Sequence, residues 1–135
     1  MQGPLNMGED QLARQLLQEL QAAVASKDLA AVLALFDEDA VVFGTAAANV
    51  GAEEVRAYLT RVVEQDGTLR WEWDHIVPLL SDPTALAFAV IGTVGFDDEA
   101  GAAVEDRDPF RLTCVAVQSE GRWRLRHFHG SVPQI

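Results

Sequence analysis

The sequence has little positive charge, and this shortage excludes two classes of partner. Lys and Arg total 10 against 21 Asp and Glu in 135 residues, so the formal net charge is −11. Proteins that bind nucleic acids neutralise phosphates with clustered Lys and Arg, but Lys27 is the only lysine here and the arginines are scattered. An anionic membrane surface would need the same cluster. We therefore expect neither nucleic acid nor a membrane as a partner.

Cysteine and long apolar runs are also scarce. Cys114 is the single cysteine, so no disulfide within the chain and no cysteine-based metal motif is possible. Its place in the apolar run 112–117 indicates a small buried hydrophobe and not a catalytic thiol. No stretch approaches the roughly 20 apolar residues of a membrane helix. The first residues, MQGPLNMG, have no basic or apolar region of a signal peptide, and a cytoplasmic location is the default expectation.

Apolar residues are abundant by contrast, at 49% of the chain, which is enough for one sizeable core. The length fits one domain, which we place at residues 9–133, after a disordered N-terminal tail at residues 1–8. From Glu9 apolar residues recur at spacings of three and four, which predicts a long amphipathic helix. Asp28 is placed as the N-cap of a short second helix. A third helix is predicted over about residues 52–64.

The period then changes from 3.6 to 2, which predicts strands. Residues 40–43 form a short early strand, followed by a loop at 44–51. Four longer β-like runs cover residues 69–80, 85–96, 110–119 and 122–132, with a long acidic connection between the second and third. Helices followed by long strands indicate an α+β fold. The predicted architecture is three N-terminal helices packed in a strongly bent antiparallel sheet.

Three motifs resemble a known family. Residues 35–41 (LFDEDAV) after Lys27-Asp28-Leu29 are similar to the opening of nuclear transport factor 2-like proteins. Residues 51–59 (GAEEVRAYL) are similar to that family's third helix. The ending, residues 121–133 (GRWRLRHFHGSVP), resembles the SnoaL-like branch that includes the association domain of calcium/calmodulin-dependent kinase II. The resemblance implies a cone-shaped, cystatin-like fold with a deep pocket, a small-molecule ligand and a homodimer formed sheet to sheet, and it implies no single activity.

The family's functional residues carry over only in part. In the kinase association domain several arginines face anionic ligands, and Arg111 falls near one of their positions. Gly130 and the apolar region around Ile91 occupy the positions of two others, so the resemblance implies at most a reduced anion site. Ketosteroid isomerases place a catalytic aspartate near Gly44 and a tyrosine near Leu20. Steroid isomerase chemistry is therefore disfavoured.

Alternation along the strands supplies the candidate site. On the last run His127 and His129 share a face with Trp123 and Leu125, and we predict that both histidines look into the pocket. Histidine is a general acid or base near neutral pH, so these two are the catalytic candidates. The same logic on the first long run groups Trp71, Trp73, His75 and Val77 into a pocket wall, although the tryptophans could equally fill the core or an interface.

Arg111 completes the predicted ligand-binding set of Arg111, His127, His129, His75, Trp71 and Trp73. Its guanidinium fits a carboxylate or phosphate ligand, or it pairs with Asp74, Glu105 or Asp108 and is structural. We predict a three-residue turn at 119–121, because a glycine that closes the loop suits it, and this turn sets Arg111 opposite His129 and diagonal to His127. A two-residue turn at 120–121 would set it opposite Gly130, on the other face.

Three functions remain open from the sequence. The first is a pocket protein for a small, partly apolar and anionic molecule. The second is a cofactor-free lyase, isomerase or cyclase that uses a pocket histidine, and the third is an oligomerisation module with a vestigial pocket. No motif demands a metal or a cofactor, and we expect neither.

Overall fold

The computed structural model of the protein describes residues 8–44, 47–104 and 106–133. The helices within these residues are α1 (Glu9–Ala25), α2 (Leu29–Ala34) and α3 (Ala52–Glu64). The strands are β1 (Phe36–Phe43), β2 (Ala48–Val50), β3 (Thr68–Asp82), β4 (Ala85–Asp97), β5 (Asp108–Ser119) and β6 (Arg122–Ser131). Residues 1–7 of the predicted tail lie outside the described residues, whereas Gly8 is the N-cap of α1.

The helices occupy their predicted positions because the apolar stripes of α1 and α3 are buried and because α2 has a side-chain N-cap. The stripe of α1 is buried at Leu16, Leu17, Leu20 and Val24. The Asp28 side chain accepts a hydrogen bond from the Ala31 backbone N–H at 3.0 Å, which satisfies one of the free donors at the start of α2. Two strands separate α2 from α3, so the helices do not form one N-terminal block.

The strands form one six-stranded sheet in the order β2-β1-β6-β5-β4-β3. β1 runs parallel to β6, while every other neighbouring pair is antiparallel. The sheet is therefore mixed, and the wholly antiparallel sheet predicted from the sequence is wrong. Alternation identifies strands but does not encode their direction, because β1 meets β6 only through tertiary pairing. The α+β class is confirmed.

The early strands are longer than predicted. β1 begins at Phe36 and not at Ala40, because Phe36 already pairs with Leu125 of β6. The predicted loop 44–51 contains β2, whose Val50 pairs with Val41. Apolar alternation did not predict β2 or the earlier start of β1, because residues 37–39 are acidic and the residues of the predicted loop are small.

One face of the sheet carries the helices and the core, and we name it the helix-covered face. Its buried side chains include Leu86, Phe88, Val90, Leu112, Cys114 and Leu125, which form a single cluster with the helices. The opposite face, named the open face, presents the alternate residues, among them Ile91, Arg111 and Thr113. None of the described helices is both long and apolar enough to cross a membrane.

Two bulges change the side-chain phase on the strands that carry predicted site residues. Trp73 pairs with Gly92 and His75 with Ile91, so Asp74 is the extra residue of β3. Val115 pairs with His127 and Ala116 with Leu125, so Arg126 is the extra residue of β6. A further irregularity between Pro78 and Leu80 interrupts β3 near its end. Side chains beyond each bulge face the side opposite to that given by simple alternation.

The β5–β6 turn has two residues, because Ser119 pairs with Arg122. Glu120 and Gly121 both have positive φ, at 54° and 76°, which is the type I′ conformation favoured in two-residue hairpins. The predicted three-residue turn is therefore wrong. Gly121 adopts the left-handed backbone of this turn without strain because it has no Cβ. Glu120 has a Cβ and is strained at its positive φ.

Candidate functional site

A cavity of about 840 Å³ lies between α3 and the helix-covered face of the sheet. Its size is within the range of small-molecule sites. The C-terminal half of α3, the start of β3, the end of β4, the start of β5 and the end of β6 all contribute. The lining residues that matter below are Tyr58, Leu69, Trp71, Val94, Phe110, Phe128 and Gly130, with the carboxylates Asp66, Asp97, Asp98, Glu99, Asp106 and Asp108.

Aromatic side chains form the apolar wall of the cavity. Trp71, Phe110 and Phe128 are all nearly buried, and the rings of Trp71 and Phe128 meet edge to face with centroids 6.1 Å apart. Trp73 stacks on Trp71 at a centroid distance of 5.6 Å and supports it from outside the lining. Such ring pairs are well packed and positionally fixed, so the wall is a pre-formed surface.

Gly130 lets the Phe110 ring of the cavity wall pack closely against β6. A Cβ at this position would overlap the ring of Phe110, so any other residue would displace that ring. The strand pairs Gly130 with Leu112 on the helix-covered face. Gly130 is therefore explained by close packing against the cavity wall.

Tyr58 brings the only phenol of the chain to the cavity. Its hydroxyl lies against Gly44, where a Cβ would overlap it, and it has no hydrogen-bond partner among the described residues. Burial raises the pKa of Tyr58, opposed by the nearby Arg61 guanidinium. The phenol therefore stays protonated and is available as a hydrogen-bond donor or acceptor.

Carboxylates occupy the polar part of the lining, and we name Asp66, Asp98, Glu99, Asp106 and Asp108 the acidic rim. All five are exposed, and they come from two connections of the chain, α3–β3 and β4–β5, and from the first residue of β5. The cavity lining contains no Lys, Arg or His within the part of the chain that the structure describes. A ligand in this cavity therefore meets negative charge at the rim and apolar rings inside.

Asp97 differs from the acidic rim because it is buried and paired. Arg107 Nη2 donates to Asp97 Oδ1 at 2.6 Å and Arg70 Nε donates to Asp97 Oδ2 at 2.9 Å. The hydrogen bond from Arg107 is the largest reason that the pKa of Asp97 lies below its usual value, with Arg70 adding to it and burial opposing it. This cluster joins the starts of β3 and β5 to the end of β4.

The connection between β4 and β5 closes one side of the cavity and is folded on itself. Asp98 Oδ1 accepts hydrogen bonds from the backbone of Ala100 and Ala102, both at 2.9 Å. The Val104 N–H donates to the Phe96 carbonyl at 2.9 Å. These contacts hold the described part of the connection beside the cavity.

The structure separates the six predicted ligand-binding residues. Trp71 lines the cavity, and Trp73 lies directly behind it. His75 does not join them, because the bulge at Asp74 turns it to the exposed open face. The pocket wall predicted from Trp71, Trp73, His75 and Val77 is therefore divided between the two faces.

Arg111, His127 and His129 share a face, as predicted, but it is the open face and not the cavity side. Arg111 pairs with Ser131 and Thr113 with His129, so Arg111 is diagonal to His129. The common face of Arg111, His127 and His129 was expected from a three-residue turn. The turn has two residues, but the extra residue at Arg126 shifts the alternation of β6 by one and puts the three side chains on one face again. Phe128, and not the histidines, faces the cavity, so the predicted orientation of His127 and His129 is wrong.

The two histidines pack around Phe43 on the open face. Both imidazole rings meet the Phe43 ring edge to face, with centroids 5.3 Å away. His127 Nδ1 lies 2.9 Å from the Val41 carbonyl oxygen, to which it donates when protonated at that nitrogen. No group of three His, Cys, Asp or Glu in residues 8–44, 47–104 and 106–133 is placed to hold a metal ion.

Arg111 has no carboxylate within ion-pair distance among the described residues. Asp74 and Asp108, two of its predicted partners, therefore do not pair with it, and the third, Glu105, lies outside the described residues. Arg111 is exposed, which removes the need for a partner that a buried guanidinium would have.

Sequence reasoning missed Tyr58, Phe110, Phe128 and the acidic rim as cavity residues. Tyr58 lies on the apolar stripe of its helix, where a core residue and a cavity residue have the same pattern in the sequence. The acidic residues 97–108 were interpreted as a solvated connection. One feature of the sequence could have indicated the acidic rim, namely the acidic residues that precede or follow the strands of the aromatic wall.

Comparison with protein families gives one match, in which the SnoaL-like domain aligns with residues 13–135. No curated protein matches the chain significantly.

Solved structures with the same fold include a candidate calcium/calmodulin-dependent protein kinase II association domain from Xanthomonas campestris. It is 20% identical, with a TM-score of 0.80, and the match covers 100% of this chain and 95% of that chain. A candidate dehydratase of the NTF2-like family from Streptomyces avermitilis is 11% identical, with a TM-score of 0.78 and coverage of 94% and 97%. An uncharacterised cystatin-like protein from Caulobacter vibrioides is 21% identical, with a TM-score of 0.72 and coverage of 94% and 92%. At such identities the likeness shows the fold alone.

Proposed function

The chain belongs to the SnoaL-like domain family, and we propose that it binds a small, partly apolar molecule in the cavity beside α3. The observation that carries this proposal is a cavity of about 840 Å³ with a wall of Trp71, Phe110 and Phe128. A pre-formed apolar cavity with a few polar groups is the usual form of a small-molecule site.

The energetics favour a ligand with a substantial apolar part. Apolar surface removed from water contributes about 25 cal/mol per Å², and the fixed aromatic rings need little reordering on binding. The Tyr58 hydroxyl supplies a polar contact inside the cavity, where a buried ligand oxygen or nitrogen would otherwise lack a partner. We therefore propose Trp71, Phe128 and Tyr58 as ligand contacts.

The charge of the cavity argues against the anionic ligand that the sequence favoured. Arg111 was the residue expected to hold an anion, and it lies on the open face. The lining offers carboxylates in place of basic groups within the described residues. A carboxylate or phosphate ligand would be repelled there.

Catalysis by a pocket histidine has no support from this geometry. His127 and His129 pack around Phe43 on the face opposite to the cavity, so neither can reach a molecule inside it. Proton transfer in the cavity would have to use Tyr58 or a carboxylate, and we propose binding without an assigned reaction.

Calorimetric titration with a neutral aromatic alcohol, 2-(2-naphthyl)ethanol, tests the proposed binding. We expect a Kd on the order of 0.1 mM, as is usual for an efficient ligand of this size. Trp71→Phe should weaken binding severalfold, because it removes ring area from the cavity wall. Trp123→Phe is the matched control, since Trp123 is partly buried against the core and outside the lining. Absence of binding, or equal loss in both variants, would contradict the proposal.

We also propose that a second copy of the chain covers the open face. Ile91 is 55% exposed and Val77 47% exposed there, and the neighbouring positions of β4 are the alanines 85, 87 and 89. These small and apolar side chains on β3 and β4 suit sheet-to-sheet contact. Because of this face, an oligomerisation module is the second candidate function. Such a module would need no ligand in the cavity.

Light scattering of the parent and of Ile91→Glu tests the dimer. We expect a dimer for the parent and a monomer for the variant, because a buried unpaired carboxylate is strongly unfavourable. A monomeric parent at micromolar concentration would exclude the dimer and the oligomerisation module together.

A further inference from the structure

We propose that the molecule bound in the cavity is an organic cation, an amine carried on an aromatic or branched apolar body. This inference rests on the proposed function, because it names the ligand class of the same cavity. It comes from the combination of an aromatic wall, an acidic rim and a lining without basic groups.

The acidic rim is distributed so that its charges act on one volume. Asp66 follows α3, Asp98 and Glu99 follow β4, and Asp106 and Asp108 precede and begin β5. Among the described residues, the ion pairs of the lining carboxylates involve Asp97 alone. No carboxylate of the acidic rim is therefore within ion-pair distance of a basic side chain among the described residues, whereas Asp97 is paired with Arg70 and Arg107.

The shape of the site strengthens this charge. A cleft lined by one sign of charge beside low-dielectric walls concentrates the field and raises the local concentration of oppositely charged molecules. Five exposed carboxylates also repel one another, and a bound cation relieves that repulsion. An ammonium held at the rim keeps access to water, so it gains this attraction without complete loss of its hydration.

The wall suits the same ligand class. Aromatic faces attract cations through the ring quadrupole, with tryptophan the strongest, and Trp71 lines the cavity. The Arg61 guanidinium already lies over the Tyr58 ring, 5.9 Å from its centroid, so Tyr58 contributes its hydroxyl and not its ring face. The phenol of Tyr58 is neutral at pH 7, because a phenol pKa is ordinarily about 10 and burial raises it further. Its oxygen can therefore accept a hydrogen bond from an ammonium. Phe110 and Phe128 then receive the apolar body.

A metal ion does not explain the acidic rim as well. Metal binding needs several ligand atoms converging on one point, and no three His, Cys, Asp or Glu side chains among the described residues are so arranged. Charges that are spread around a cavity mouth match the diffuse charge and the bulk of an organic amine.

Three probes with the same ring and different charge test the inference. They are 2-(2-naphthyl)ethylamine, 2-(2-naphthyl)ethanol and 2-naphthylacetate, each titrated into the full chain by calorimetry. We expect the amine to bind about tenfold or more tightly than the alcohol, and the carboxylate most weakly. Raising the salt from about 0.1 M to about 1 M shortens the screening length from about 10 Å to about 3 Å. The preference for the amine should shrink accordingly.

Paired variants locate the effect at the rim. A double variant with Asp106→Asn and Asp108→Asn should lower the affinity for the amine about threefold to tenfold, since each exposed charge contributes modestly. The affinity for the uncharged alcohol should not change. Glu19→Gln with Glu53→Gln is the matched control, because it removes the same net charge from exposed sites outside the lining. The control should leave the ratio of amine to alcohol affinity within about twofold of the parent, because distant exposed charges are screened.

The outcomes separate this inference from the proposed function. Equal affinity for amine and alcohol, or an amine preference lost equally in the control, overturns the cation inference and leaves the binding cavity. Preferred binding of the carboxylate overturns it in the same way. Failure of all three probes to bind overturns the proposed function itself.

Discussion

At the scale of single residues, Gln21 has the most consequential role outside the cavity. Its buried amide accepts a hydrogen bond from the Trp71 N–H at 2.6 Å and donates to the Leu69 carbonyl at 3.0 Å. These backbone groups belong to β3, which has no strand neighbour on that side. Gln21 on α1 thus substitutes for a missing strand and fixes the backbone that carries Trp71.

Gln21→Leu should destabilise the protein by about 2–4 kcal/mol, because it leaves a buried N–H and a buried carbonyl without partners. Urea unfolding measures the change. Gln18→Leu, at an exposed position of the same helix, should change the free energy of unfolding by less than about 0.5 kcal/mol. A Gln21 variant as stable as the Gln18 variant would show that water replaces the amide.

Cys114 behaves as the small buried hydrophobe that the sequence predicted. It is completely buried, and burial raises the pKa of its thiol well above the usual value. Because the thiolate is the reactive species, Cys114 should not react with a thiol reagent in the native protein and should react fully in urea. Rapid native labelling would show that the core around it opens readily.

At the scale of elements, the sequence predicted what depends on local periodicity and missed what depends on pairing. The bounds of α3 follow from residues 52–64 alone. The face of His127 does not, because it depends on an extra residue at Arg126 that only the register with β5 reveals. The face of His75 depends in the same way on Asp74. Thus the fold class, the helices and the four long strands were predictable, whereas β2, the direction of β1 and the cavity side of β3 and β6 were not.

The hairpin between β5 and β6 provides a test at this scale. Glu120 has a positive φ of 54°, a conformation that asparagine tolerates better than glutamate. Glu120→Asn should therefore stabilise the protein by about 0.5–1 kcal/mol, measured as a rise in Tm. Glu120→Ala should give no such rise, because alanine has the same steric restriction. A rise in both variants would point to charge removal as the cause.

At the scale of the whole molecule, the Asp97 cluster links stability to pH. Folding lowers the pKa of the Asp97 carboxyl. The stability that this carboxylate contributes is therefore present above its unfolded pKa of about 3.9, and it is lost as the pH falls through the lower folded pKa. Asp97→Asn should cost about 2 kcal/mol at neutral pH, and the difference from the parent should shrink below about pH 4. Urea unfolding across that range measures it.

Glu72→Gln is the control for this cluster. Glu72 is 59% exposed and lies 3.7 Å from Arg107 Nε, so its loss should cost well under 1 kcal/mol at about neutral pH. A difference between parent and Asp97→Asn that stays constant as the pH falls would exclude titration of Asp97 as its origin.

The long outer strand β3 has a consequence for behaviour at high concentration. It spans Thr68–Asp82 and borders the sheet, so one side of its backbone could template the addition of strands from other molecules. The extra residue at Asp74, Pro78 and the irregularity that follows it break this edge into short pieces that a straight incoming strand cannot match. We therefore expect the bulge that turns His75 away from the cavity to hinder edge-to-edge association of β3 between molecules as well.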